Sequence, residues 1–190
     1  FNFNKMDLRE KALNLINQYI KNENLKKHLF AVENLMRHLA RKFNEDENIW
    51  ALAGLLHDLD WEITKETPEK HPLITVEILE KEKFPKEVIE AIKKHNHLQG
   101  LTPETNLEKA LYCTEEITGL IVAVALVMPN KKLSEVTVER VLSKFKEPSF
   151  AKGVNREIIL KTEEMLGIKL EELVEIALRA MNEISDVLGL

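Results

Sequence analysis

Between one glycine or proline and the next, the apolar residues of this chain recur at three- and four-residue intervals, and no stretch alternates convincingly between apolar and polar. A period near 3.6 marks a helix that buries one face, whereas a period of two would mark a strand. With only 6 Gly and 6 Pro in 190 residues, the punctuation between such segments is sparse. The chain is therefore expected to be all-α, a single-domain bundle of about eight or nine helices. Leu8, Ala12, Leu15, Ile16 and Tyr19 mark one side of a first helix over 7–20. Asn24 is placed to cap a second, striped by Leu25, His28, Val32, Leu35 and Leu39. Further helices are expected over about 47–58, 72–81, 85–96, 106–127, 134–145, 156–166 and 169–188, the last two separated at Gly167. This divides the chain into an N-terminal helix in 1–23, a core in 24–156 and C-terminal helices in 157–190.

Length and charge narrow the class further. A chain of 190 residues that is 44% hydrophobic can bury a real core. Its net charge of −5 offers no general basic excess for a stable nucleic-acid complex. The single Cys113 allows no internal disulfide, which fits a reducing compartment. No apolar run reaches the roughly 18 residues of a membrane span. The longest, GLIVAVALVMP, reads as a buried helix. FNFNKMDLRE has the pattern of neither a signal nor a transit peptide, and Met6 is a candidate internal start. The expectation is a soluble, cytoplasmic protein without membrane contact.

The segment ALAGLLHDLDWEI, Ala51 to Ile63, carries the first chemical signal. A helix apolar nearly all round ends on His57 and Asp58. A carboxylate there faces the negative end of the helix macrodipole, and burying it unpaired costs several kcal/mol or more. The next Lys or Arg in the chain is Lys65. His28 and His95 sit on the apolar faces of their own helices, and His71 precedes Pro72 near a helix start. One such His is most simply a hydrogen-bonded core residue. Four of them with a buried Asp are the ligand types of borderline and hard transition metals. A divalent ion would supply the positive charge Asp58 lacks, and the helix start should favour the neutral form of His71.

The order His28, His57-Asp58, then an acidic residue in ALYCTEEITGL resembles the H…HD…D pattern of the HD-domain superfamily of metal-dependent phosphohydrolases. The words LLHDLDWE, HPLITVEIL, AIKKHN and ALYCTEEITGLIVAVALVMPNK are similar to a bacterial and archaeal group of HD hydrolases. The likeness runs from about His28 to Arg156. It implies an all-helical fold, one or two divalent ions per chain (Fe, Mn, Co, Ni, Zn or Mg) and a small phosphorylated substrate, nucleotides included. By position it implies a first ion held by His28, His57, Asp58 and Glu115. Asp58 would bridge to a second ion on His71 and His95, completed by His97 or water. The family has Asp where this chain has Glu115, which is one methylene longer. It reaches an ion if its helix stands further away, or it leaves a water between. In this reading Asp58 also orients the attacking water. His71 or His95, where not fully occupied by metal, protonates the leaving oxygen or binds phosphate. His38 has no counterpart in the pattern and is expected at an edge.

Two other features bear on a substrate. Lys144, Lys146, Lys152 and Arg156 form a local basic cluster around Gly153, and Lys146, Lys152 and Arg156 are candidates for holding phosphate. Trp61 either stacks on a base or covers the helix end. The stripe of Leu170, Leu173, Ile176, Ala177, Ala180, Ile184 and Leu188 is expected to pack on the domain, with a homodimer contact as its alternative use. Besides phosphate-ester hydrolysis, the ligand set leaves open an HD-type di-iron oxygenase and a non-catalytic metal- or ligand-binding module.

Overall fold

The computed structural model describes residues 7–190, so the first six residues, Met6 among them, lie outside the described residues. The described chain is helical, with no strand. Its helices are α1 (Leu8–Tyr19), α2 (Glu23–Phe43), α3 (Glu47–Leu56), α4 (Trp61–Thr64), α5 (Leu73–Lys81), α6 (Lys86–His95), α7 (Asn106–Thr114), α8 (Ile117–Leu126), α9 (Val138–Phe145), α10 (Arg156–Leu166), α11 (Leu170–Glu183) and α12 (Ser185–Leu188). Short 3₁₀ turns cover Pro68–Lys70, His97–Gln99 and Leu133–Glu135. None of these helices is long and apolar enough to cross a membrane.

Helix α2 is the spine. Asn22, not Asn24, caps it: the Asn22 side chain accepts from the backbone N–H groups of Asn24 and Leu25. Leu29, Val32, Leu35, Met36 and Leu39 point inward and are fully buried. Asn44 ends the helix in the left-handed region at φ 53°, and Asp46 caps α3 two residues later. So short a connection makes α2 and α3 antiparallel neighbours. They pack face to face at Gly54, where a Cβ would stand 2.7 Å from the Val32 carbonyl oxygen. One turn back along α2 from Val32 is His28, and one turn on along α3 from Gly54 is His57. The close approach thus sets the register that brings these two imidazoles together.

The segment expected as one helix over 106–127 is two, α7 and α8, broken at Glu115 and Glu116. Thr114 Oγ1 donates to the Ala110 carbonyl at 2.6 Å and Thr118 Oγ1 to the Glu115 carbonyl at 2.8 Å. Such back-bonding competes with the helix ladder and bends it. The helix expected over 134–145 begins only at Val138, capped by Thr137, after the Leu133–Glu135 turn. The last expected helix divides at Ile184 into α11 and α12. Leu173, Ala177, Ala180 and Leu188 of its stripe are buried, and α11 packs on α2, α8 and α9. Helix α7 lies between α6 and α10, and α6 lies on α3. The ends of α3 and α6 and the α7–α8 break therefore meet at one place.

Candidate metal centre

Four imidazoles and two carboxylates meet where those elements converge. His28 comes from α2, His57 and Asp58 follow α3, and His71 stands between the Pro68–Lys70 turn and α5. His95 ends α6, and Glu115 lies at the α7–α8 break. Asp58 divides the cluster in two. Its Oδ2 faces His28 Nε2 at 3.7 Å and His57 Nε2 at 3.5 Å. Its Oδ1 faces His71 Nε2 at 3.1 Å and His95 Nε2 at 3.6 Å. Glu115 Oε2 closes the first half, 3.4 Å from His28 Nε2 and 3.9 Å from His57 Nε2. The longer side chain therefore reaches the cluster.

The orientation of every ring is fixed from behind. His57 Nδ1 lies 2.7 Å from the Gly54 carbonyl and His95 Nδ1 2.6 Å from the Ile92 carbonyl. A carbonyl only accepts, so both Nδ1 atoms carry hydrogen. The Thr118 hydroxyl gives its proton to the Glu115 carbonyl, so at 3.3 Å it accepts from His28 Nδ1. His71 Nδ1 donates to Asp60 Oδ1 at 2.6 Å. In their neutral forms all four rings thus turn an Nε2 lone pair toward Asp58. His28 Nε2 and His57 Nε2 stand 3.3 Å apart, and His71 Nε2 and His95 Nε2 only 3.0 Å. Lone pairs this close to one another and to a carboxylate do not stay bare: a proton or a metal cation must stand among them.

The spacing fits a metal. Ligand bonds of about 2.0 to 2.2 Å place neighbouring ligand atoms about 2.8 to 3.6 Å apart in octahedral or tetrahedral geometry. Most of the separations above fall in or near that range, with Glu115 to His57 somewhat wide. Two groups in the described chain could hold an ion: His28, His57 and Asp58, and Asp58, His71 and His95. Imidazole with carboxylate suits a divalent transition metal and does not select among them.

Without a metal, the charges sort themselves unevenly. Burial disfavours the Asp58 anion, but His57, His71, His95 and His28 outweigh it and hold its carboxyl well below the usual range. Burial pushes His57 down to about 4, against the pull of Asp58 and Glu115. It pushes on His71 too, yet hydrogen bonds to Asp58 and Asp60 win and raise that imidazole to about 9. The expected neutral bias of His71 is thus reversed, because two carboxylates outweigh a helix start. Burial likewise opposes His28, which Glu115 raises above its ordinary value. Burial and the neighbouring Glu115 lift the Glu116 carboxyl to about 7, while Glu116 also accepts from the Asn155 N–H.

An open cleft of about 300 Å³ reaches this cluster, lined among others by Asp58, Trp61, His71, His95, Tyr112 and Glu116. Trp61 is 37% exposed, its ring edge-on to His71 with centroids 5.3 Å apart. His97 is exposed on the cleft wall and belongs to neither metal-holding group. His38 lies at an edge, 2.8 Å from Glu183 Oε2. Gly153 lines the cleft, but Lys146, Lys152 and Arg156 are not among its lining residues. Lys146 and Lys152 are exposed. Arg156 is engaged by backbone: its guanidinium donates to the Phe145 carbonyl at 2.7 Å, Phe150 at 2.6 Å and Glu147 at 3.0 Å. It ties down the loop before α10 and does not offer its donors to the cleft. Spacing in the sequence assigns no role to Asp60 and Thr118, which orient His71 and His28, nor to Glu116 and Tyr112 on the cleft wall. Asp60 stood two residues past the His57-Asp58 pair, the one sequence cue to its place.

Residues 25–125 match the HD domain family. A stretch of 74 residues is 39% identical to Ribonuclease Y of Acholeplasma laidlawii (strain PG-8A), covering 39% of this chain but only 14% of that relative. No solved structure matches at a comparable level.

Proposed function

The chain belongs to the HD-domain family, and on that premise we propose that it is a metal-dependent phosphohydrolase acting on a small phosphate ester. One observation carries the reading: four Nδ1-anchored imidazoles aim their Nε2 atoms at the two oxygens of Asp58, beside an open cleft. His28, His57, Asp58 and Glu115 would hold one divalent ion, and Asp58, His71 and His95 a second. Bound there, such ions supply a water of lowered pKa and a Lewis acid for a phosphoryl oxygen.

The chain's own residues do the rest. Asp58, at the floor of the cleft, orients the attacking water while its two oxygens face the two halves. Where its half is not filled, His71 keeps its proton at Nε2 and can pass it to a leaving oxygen. Glu116, on the wall of the same cleft, is a further carboxyl within reach of a bound ester. Trp61 and Tyr112 give the cleft apolar walls for the ester's organic part. A cleft of about 300 Å³ suits a small molecule. The ribonuclease relative supports cleavage of a phosphorus–oxygen ester bond and extends the candidates to phosphodiesters. Purified protein repleted separately with Mn, Fe, Co, Ni and Zn, then given panels of phosphomonoesters and phosphodiesters, tests the reading. Hydrolysis that requires metal and is lost in Asp58→Asn is expected. Bound metal with no turnover on either panel overturns it, and oxygen consumption by an iron-loaded form would point to an oxygenase.

A further inference from the structure

Three of the four imidazoles are oriented by neutral acceptors: Gly54 O, Ile92 O and Thr118 Oγ1. The fourth, His71, is oriented by a carboxylate. Asp60 is wholly buried. Its Oδ1 accepts from His71 Nδ1 at 2.6 Å, and its Oδ2 accepts from the Thr75 N–H at 3.0 Å. Its own N–H donates to Thr75 Oγ1 at 3.0 Å. Asp60 makes no side-chain cap on α4, which it precedes, and Pro72 makes none on α5. The Asp60 carboxylate instead receives an N–H from the first turn of α5, reached across the segment that carries His71.

We propose that Asp60 is a positioning residue that makes His71 a metal ligand and so creates the second half of the centre. This rests on the metal-dependent reading above. Both carboxylate oxygens face donors, which leaves His71 one arrangement: hydrogen on Nδ1 and a lone pair on Nε2, 3.1 Å from Asp58 Oδ1. An anionic acceptor behind an imidazole also makes it a stronger donor to a metal. An amide of the same shape cannot reproduce this. With its oxygen toward His71, its NH₂ meets the Thr75 N–H. With its NH₂ toward His71, it takes the lone pair of Nδ1 and puts the ring proton on Nε2. The His28 and His57 rings have their own acceptors and do not depend on Asp60.

The test counts metal on the full chain during titration with Mn²⁺, in wild type, Asp60→Asn, His71→Ala and the double variant. Wild type is expected to bind two equivalents. Asp60→Asn is expected to keep the first unchanged and to bind the second about 10- to 100-fold more weakly. In the His71→Ala background, Asp60→Asn is expected to add nothing, as for a residue that acts through another. A second equivalent bound as tightly in Asp60→Asn as in wild type overturns the proposal alone. Equal weakening of both equivalents also overturns it, since that is the mark of a structural role. A wild-type chain that binds no metal overturns both readings. Should Asp60→Asn fail to fold, nitrogen NMR of zinc-loaded wild type asks the same question. His71 is expected to carry its proton on Nδ1 with Nε2 on the metal, and the reverse assignment overturns the proposal.

Discussion

The half of the centre built from α2, α3 and the α7–α8 break differs from the half built from the His71 segment and α6 in how each is held. His28 stands on α2 and His57 just past the end of α3, two capped helices locked at Gly54, with Glu115 as a second carboxylate beside Asp58. Neutral acceptors suffice to orient them. His71 sits outside any helix, and a buried carboxylate fixes it in place. Packing preorganises the first half, and in the second a hydrogen-bonded carboxylate orients His71 beside the helix-borne His95. In the absence of metal the same difference sets protonation: His57 is pushed down to about 4 and His71 up to about 9. His57 thus waits as a bare lone pair and His71 as a proton.

The largest expected effect removes what the halves share. Asp58→Asn keeps the shape of the side chain but withdraws the anion facing all four rings, so both equivalents of metal and all metal-dependent hydrolysis should be lost. Metal content and activity measured side by side check this. A variant that still bound one equivalent tightly would mean that one half stands without Asp58, and the centre would have to be redrawn as two separate sites.

Gly54→Ala strikes the first half through its packing. A Cβ there would lie 2.7 Å from the Val32 oxygen and 2.9 Å from its carbonyl carbon, both backbone. The two helices must then move apart, at a cost of about 1 to 3 kcal/mol or more in stability, and His28 leaves His57. Denaturant unfolding should record the loss, and a metal titration should show the His28–His57 equivalent weakened more than the other. Unchanged stability would mean that the register of α2 and α3 is set elsewhere.

The protonation contrast predicts a pH dependence. Folding raises the His71 pKa from the usual 6.5 to about 9. Its contribution to stability is therefore complete below pH 6.5 and is lost as pH rises through about 9. His57 is depressed from 6.5 to about 4, so the chain loses stability on that account as pH falls from 6.5 toward 4. Metal-free protein should melt at a lower temperature at pH 9 than at pH 6.5, and His71→Asn should flatten that alkaline decline. Metal-loaded protein should not show it, because the His71 lone pair is then occupied. An equally steep alkaline decline in His71→Asn would assign it to some other group.

Much of this architecture was legible in the residues, and the exceptions have physical causes. Apolar spacing marked each long helix, and the inward faces of α2 and α6 already placed His28 and His95 beside the core. The break at Glu115 was hidden because Leu111, Ile117, Leu120 and Ile121 keep helical spacing straight through it. At the break, two threonine hydroxyls bond back to carbonyls, a contact the apolar pattern does not record. Arg156 read as a phosphate ligand because a basic cluster looks the same whether its donors face a ligand or backbone carbonyls. Asp60 read as one more acid after the helix, since its partners, His71 and Thr75, lie 11 and 15 residues further on. Helix patterns are local properties of a sequence. Which carboxylate turns inward is decided by elements that meet only in the fold.

Thr118→Val probes the smallest term and sharpens the contrast most finely. The hydroxyl is the neutral counterpart of Asp60, accepting from His28 Nδ1 at 3.3 Å, a long contact. Valine has nearly the same shape, but buried Thr118 also gives up its bond to the Glu115 carbonyl at 2.8 Å, so two hydrogen bonds go and stability should fall by about 1 to 3 kcal/mol. His28 lies on a packed helix, so its ring has little freedom to turn when that acceptor goes. The first equivalent of metal should therefore weaken by less than about tenfold, the low end for loss of a group behind a ligand. Asp60→Asn should cost the second equivalent distinctly more. If the two substitutions cost their halves the same, the charge behind His71 adds nothing to its orientation, and packing holds both halves alike.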